Sequence, residues 1–305
     1  MEPTSDPNKF VLKILFAAII IVFVVAGLII FTKFNREIEE VTSVSEEEFV
    51  VKEEPKSNIL AIGKSVEGRL IDSYRYGNDN ADNHLVFVGG IHGGYEWNSV
   101  FLAYELIDYL DLNPNFVPEN IKITVIPSAN PDGLFKVVGR EGRFDTGDVS
   151  AVEDIVVSGR FNANNVDLNR NFGCKWKTES TWRGNVVSAG TAAFSEPEAL
   201  AIKNFVDKNR PSAFVFFHSQ GNAVYASECE NGILPRTIGL MNEYAGASGY
   251  TPIPKFDAYE ITGDAEGWLA SIGTPAITVE LKTHETIEWE QNLEGIKALI
   301  DLYSI

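Results

Sequence analysis

The chain of 305 residues contains four histidines, and two of them stand at the ends of apolar runs of strand length. Residues 85–88 (Leu-Val-Phe-Val) run into Gly-Gly-Ile-His92-Gly-Gly-Tyr-Glu96, and residues 213–217 (Ala-Phe-Val-Phe-Phe) end directly in His218. A third run, Ala-Ile-Thr-Val at 276–279, leads into Glu280. Two imidazoles and a carboxylate suit zinc, which takes nitrogen and oxygen donors and leaves a position open for water. A further glutamate would serve as the base for that water. Taken singly, a histidine after a buried strand is more often a hydrogen-bonded structural residue. Glu280 is harder to read that way, because a carboxylate inside an apolar strand is costly unless paired or used. Residues 160–172 add Arg160, Asn169, Arg170 and Asn171 in one short loop-like segment. A guanidinium fork matches a carboxylate bidentately, although composition alone favours a surface turn with ordinary ion pairs. His84 and His284 read as structural or exposed. Asp132 reads as fixing the turn after its strand, or as orienting a ligand histidine from behind.

The elements that must position these groups follow from hydrophobic periodicity. Residues 84–89, 121–126, 213–217 and 276–281 read as buried strands. Helical periodicity covers 100–110, 196–206 and about 288–302. The second of these helices opens on a capping-box pattern, Ser195 with Glu198 three residues on. Such alternation predicts a single α/β domain whose central mixed, largely parallel sheet carries helices on both faces. In sheets of this kind functional groups collect at the carboxyl ends of strands, where His92, His218 and Glu280 fall.

The charge is unevenly spread. There are 25 Lys+Arg against 43 Asp+Glu, a net of −18, which argues against a nucleic-acid partner. Residues 1–36 carry four basic and two acidic side chains, leaving 21 basic and 41 acidic in the rest. Residues 10–31 hold one charge, Lys13, and 22 residues at ~1.5 Å each can span a bilayer core of ~30 Å. The segment is longer than a signal-peptide core and lacks the polar face of a buried helix, so it reads as an uncleaved anchor. The predicted organisation is a tail over 1–9, one transmembrane helix over 10–31, an acidic tether over 32–56 and a globular domain over 57–305. Two cysteines exclude a disulfide scaffold.

The ordered set Gly90-Ile-His92 with Glu96, Asn130-Pro-Asp-Gly133, Arg160, residues 167–172 (Asp-Leu-Asn-Arg-Asn-Phe), Ser195-Glu-Pro-Glu198, His218-Ser219, Tyr259 and Thr278-Val-Glu280-Leu resembles the zinc metallocarboxypeptidase family, in its bacterial type. The resemblance covers about residues 62–302. It implies one Zn²⁺ per chain, held by His92, Glu96 and His218, with Glu280 as general base. It implies Arg160 as the group that polarises the scissile carbonyl. Asn169 and Arg170 then clamp the terminal carboxylate of a peptide, helped by Tyr259 on a mobile loop. One departure is visible: three residues separate His92 from Glu96 where the family motif has two.

Asp264 and Glu266 fall in the loop that lines the side-chain pocket of the resembling enzymes. They are expected to favour a basic or diamino-acid terminus, the alternative being that they face solvent or cap a helix. Cys174 and Cys229 should border one cleft, either as a disulfide or as two free buried thiols. The implied activity is that of a membrane-anchored carboxypeptidase hydrolysing the last peptide bond, bound to the bilayer by its helix and facing the extracytoplasmic side. Two other functions stay open: a zinc amidohydrolase of the succinylglutamate desuccinylase and aspartoacylase type, and a catalytically inactive module binding peptides or wall fragments.

Overall fold

Residues 213–217 are apolar on both faces of the chain, and residues 121–126 are apolar on one face with Lys122 and Thr124 on the other; both strands lie inside a sheet. The structure, a computed structural model, describes Ile21, residues 24–33 and residues 58–304. The chain divides into two units, Met1–Lys56 and Ser57–Ile305. In the first, residues 24–33 are helical. The anchor expected over 10–31 lies mostly outside the described residues, as do most of the tail and the tether. Among the described residues no helix is long and apolar enough to cross a membrane, so the membrane-spanning part of the expectation lacks structural support.

The second unit opens with β1 (Ile59–Lys64), β2 (Leu70–Gly77) and β3 (Asn83–Val88), followed by α1 (Trp97–Leu112), β4 (Ile121–Ile126), α2 (Pro131–Val138) and α3 (Glu153–Ser158). A hairpin of β5 (Glu179–Trp182) and β6 (Asn185–Ser188) precedes α4 (Pro197–Asn209), β7 (Ala213–Ser219) and β8 (Ala223–Ala226). Then come β9 (Glu228–Cys229), β10 (Gly232–Ile233), α5 (Pro235–Ser248), β11 (Thr251–Ile253), α6 (Ala265–Ser271), β12 (Ala276–Leu281) and α7 (Trp289–Tyr303). Eight strands form the main sheet in the order β1-β2-β4-β3-β7-β12-β8-β11. The β4-β3-β7-β12 centre is parallel, and antiparallel pairings flank it at β1-β2-β4 and β12-β8.

Side-chain alternation sorts the core onto two faces. Leu85, Phe87, Val215, Phe217, Ile277 and Val279 pack with α1, α5 and α7 on one face. Val86, Val88, Phe214, Phe216 and Ala276 pack with α4 and α6 on the other. By the same parity His218 and Glu280 share the second face, and the β7-β12 register sets them directly opposite each other. The expected α/β sheet with helices on both faces is therefore observed.

The capping box requires correction. The N-cap of α4 is Glu196, without a side-chain cap, one residue beyond Ser195. Ser195 instead donates to Glu196 Oε1, while Glu198 accepts from the Val66 amide and from Asn162. Long-range partners have displaced the local pattern.

His84, on β3, is buried and bonds Thr124 through Nε2 (2.8 Å). Burial, aided by nearby Lys122, lowers its pKa from 6.5 to about 4. Between those values the unfolded chain binds a proton that the folded protein refuses, so stability is complete above pH ~6.5 and falls as the pH drops toward 4. The loss from this residue should reach about 2 kcal/mol between pH 7 and 5. His84→Gln keeps a hydrogen-bonding group without the titration, and urea melts at both pH values should show it losing about 2 kcal/mol less.

Candidate metal centre and active site

After β3 the chain turns through a tight 3₁₀ segment, Gly93–Glu96, before entering α1. Gly93 has φ +48°, and a Cβ there would lie 2.4 Å from the Gly159 carbonyl oxygen, so only glycine lets this turn seat against its neighbours. This turn contains the three residues between His92 and Glu96. Glu96 Oε1 lies 2.8 Å from His92 Nδ1, and Glu96 Oε2 lies 3.1 Å from His218 Nδ1. The two Nδ1 atoms are 3.3 Å apart. All three side chains are buried.

These separations suit donors arranged about a common ion at ~2.0–2.2 Å. Glu96 Oε2 is buried without a well-formed hydrogen bond, as a ligand oxygen awaiting a cation would be. The second nitrogen of each imidazole turns to another carboxylate. His92 Nε2 lies 3.7 Å from Asp167, and His218 Nε2 donates to Glu266 Oε1 at 3.0 Å. Donor set and backing carboxylates fit zinc.

In the metal-free centre the two imidazoles differ: His92 is held neutral, whereas His218 binds a proton that a cation would have to displace. Burial, with Arg160 next, lowers His92 to about 4, which keeps it neutral and able to ligate. Burial opposes charge on Glu96, yet His92 and His218 hold it well below its usual range. Burial likewise opposes charge on His218, but Glu96 and Glu266 raise it well above its usual value. Glu280 is pushed up to about 7 by burial and by Glu96.

Arg160 is buried and donates through Nε and Nη2 to Asp167 Oδ2 (2.9 and 2.8 Å), with Nη1 at 4.0 Å from Glu96. Asp167 also accepts the Asn169 amide and so caps the 3₁₀ turn Leu168–Arg170. Arg170 is buried, donates to the carbonyls of Asn169 (2.6 Å) and Thr181 (3.3 Å), and leaves Nε without a partner. Among the described residues it has no carboxylate within 4.0 Å. Asn169 Oδ1 accepts from the Ala265 amide (2.8 Å), which ties this turn to α6. Arg160, Asn169, Arg170, Tyr259 and Glu280 all line one cavity of about 640 Å³ beside the His-Glu-His cluster.

Asp264 meets the alternative stated for it, a helix cap, and Glu266 takes a partner that was not expected. Asp264 and Glu266 do line this cavity, but Asp264 caps α6 by accepting from Gly267 (2.7 Å). Glu266 accepts from His218 and from Thr278 (3.1 Å), so it backs a metal ligand rather than waiting for a substrate cation. Asp132 orients no histidine either; it accepts from Ser65 and the Glu67 amide and pairs with Arg69, pinning the β1-β2 turn. Asp167 stands behind His92 instead. Sequence reading also missed His284, which lines the cavity, bonds Ser219 (2.7 Å) and packs against Tyr95. Its position four residues beyond Glu280 was the available signal. Cys174 and Cys229 form a disulfide at the cavity wall.

Glu266→Gln should weaken zinc binding roughly 10- to 100-fold, since the amide holds His218 less strongly than the carboxylate does. Competition with a chromogenic chelator measures it; an unchanged affinity would reduce Glu266 to packing.

A zinc carboxypeptidase family model matches residues 48–288, which bears out the resemblance read from the motifs. The γ-D-glutamyl-L-diamino acid endopeptidase 1 of Lysinibacillus sphaericus is 27% identical over 173 residues, covering 52% of this chain and 42% of that one. Carboxypeptidase D of Homo sapiens is 35% identical over 128 residues, covering 38% of this chain and 8% of that one. The chain thus spans less than half the length of either relative. The murein-tripeptide amidase MpaA of Escherichia coli O157 shares the fold, with a TM-score of 0.57, 23% identity and coverage of 81% and 92%.

Proposed function

This chain belongs to the zinc carboxypeptidase family, and from that premise we propose that it removes the terminal residue of peptides bearing a free carboxylate. The observation that carries this reading is Arg170, a buried guanidinium without a carboxylate partner among the described residues, in the same cavity as Glu280 and the two histidines. Zinc held by His92, Glu96 and His218 would supply Lewis acidity, acidifying water and polarising a carbonyl. Glu280 takes the proton from the attacking water and returns it to the departing amine. Arg160, fixed by Asp167, directs its Nη1 edge toward the charge that develops on the scissile oxygen. Asn169 and Arg170 hold the terminal carboxylate, so that the last amide is the one presented, and Tyr259 closes over it.

Asp264 stays half-buried in the cavity even while it caps α6. It therefore supports a basic or diamino-acid terminus, in line with the diamino acid named for the Lysinibacillus relative. Residues 10–31, with a single charge in 22 positions, support a single-pass anchor. The Cys174–Cys229 disulfide supports a catalytic domain on the oxidising, extracytoplasmic side.

The test uses the zinc-loaded protein with peptides ending in Lys, Leu or Glu, each as free acid and as amide. Amidation should lower kcat/KM at least tenfold, and Arg170→Ala should erase that difference. Equal cleavage of acid and amide by the parent would end the exopeptidase reading. Cleavage confined to small acylated amino acids would favour an amidohydrolase, and binding without cleavage an inactive module.

A further inference from the structure

Beyond Arg160 the cavity continues along a wall that the reaction as described does not use. Tyr95, Trp182, Arg183 and His284 line it. The Arg160 guanidinium lies 4.5 Å over the Trp182 ring, and Trp182 meets Tyr95 edge-on at 5.2 Å. Tyr95 stacks at a tilt on His284 (4.8 Å), and Arg183 Nη1 donates to the Tyr95 hydroxyl at 3.1 Å. His284 is made less basic by burial, which leaves Arg183 and Arg160 as the cations of this wall.

Arg183 sits where its side chain is a choice rather than a default. Trp182 and Asn185 pair across the β5-β6 hairpin, so Arg183 and Gly184 are its two-residue loop. Their φ values are +51° and +80°. Turns of this kind usually take Asn-Gly, because most side chains are strained in the left-handed region. An arginine held there, tied to Tyr95 at the cavity, is an outlier that asks for a use. Among the described residues no carboxylate lies within 4.0 Å of it. Arg183 is exposed at the tip of the hairpin, and its bond to the Tyr95 hydroxyl holds Nη1 toward the cavity.

We propose that Arg183, with the Tyr95 hydroxyl and the Trp182 and His284 rings, forms a subsite for a carboxylate on the residue that supplies the scissile carbonyl. The inference rests on the reading above, in which Arg170 holds the terminal carboxylate and Arg160 faces the scissile oxygen. Arg183 adjoins Arg160 through Trp182 and Tyr95, and the inference assigns it to the acyl side of the bond. The ligand chemistry is one carboxylate near the scissile amide, from either of two sources. It can be an acidic side chain in an ordinary peptide, or the α-carboxylate left free when a glutamate is linked through its γ-carbonyl. A bidentate guanidinium contact between aromatic walls distinguishes such a group from its neutral amide.

The test compares kcat/KM of the zinc-loaded full chain on four peptides with the same terminal residue. Two carry α-linked Glu or Gln before the scissile bond; two carry γ-linked glutamyl with its α-carboxylate free or amidated. The parent should prefer the acid over its amide by about tenfold in at least one pair, and the pair that shows it identifies the source. Arg183→Gln should bring that ratio close to one. Arg183→Glu should invert it and favour a peptide with Lys in the same place. A parent ratio near one in both pairs, or a preference that survives in Arg183→Gln, overturns the subsite while leaving the carboxypeptidase reading intact. Failure to cleave all four peptides would overturn both.

Discussion

Glu280→Gln is expected to keep its zinc and lose roughly a hundred- to ten-thousand-fold in kcat/KM. Glu280 lies on β12 opposite His218 of β7, and the parallel register between these strands holds the backbone whichever side chain is present. Glutamine has nearly the same shape, so the cavity and the three ligands should persist. What disappears is the carboxylate that accepts the proton of water. Burial and Glu96 already disfavour charge on this group, whose pKa is pushed up to about 7. Neutral glutamine should therefore cost the metal-free fold nothing and can stabilise it. Zinc content by atomic emission, turnover on a free-acid peptide and thermal melts together make the test. A variant that turns over at the parental rate would remove Glu280 from the mechanism. One that lost its zinc would make it a structural residue of the centre.

His218→Ala should have a larger and different effect, abolishing both metal binding and turnover. His218 supplies one of three donors, and it is also the imidazole between two buried carboxylates, Glu96 at 3.1 Å and Glu266 at 3.0 Å. Removing it leaves both buried carboxylates without that partner. Breaking a buried ion pair by deleting one member typically costs 3–5 kcal/mol. The metal-free variant should thus unfold at clearly lower urea concentration than the metal-free parent. Glu280→Gln would show no such loss. Full activity, or a full complement of zinc, in His218→Ala would refute the metal centre.

The contrast between these variants shows what each level of organisation decides. Residues 85–88 and 213–217 are apolar at every position, and 276–279 depart from that only at Thr278, the composition of strands buried on both faces. That pattern, read along the chain, was sufficient for a sheet covered on both sides. It was sufficient as well for His92, His218 and Glu280 to stand out as polar groups at strand ends. The roles of Arg160, Asn169 and Arg170 were another matter: their composition fits a surface turn, and only resemblance to a family singled them out.

Other partners follow from no local pattern. Ser195 and Glu198 match a capping box, yet Asn162 and the Val66 amide claim Glu198 from across the fold. Glu266 lies in the first turn of α6, and Asp264, two residues earlier, is its N-cap. One turns to His218, 48 positions earlier, and the other to the amide of Gly267. Arg183 reaches Tyr95 over 88 positions. Periodicity decides which face of its own element a side chain occupies, because it is a property of backbone geometry repeated every two or 3.6 residues. It contains nothing about which element docks opposite. That depends on strand order, register and the close approach of segments such as the Gly93 turn, which are settled only when the whole core packs at once.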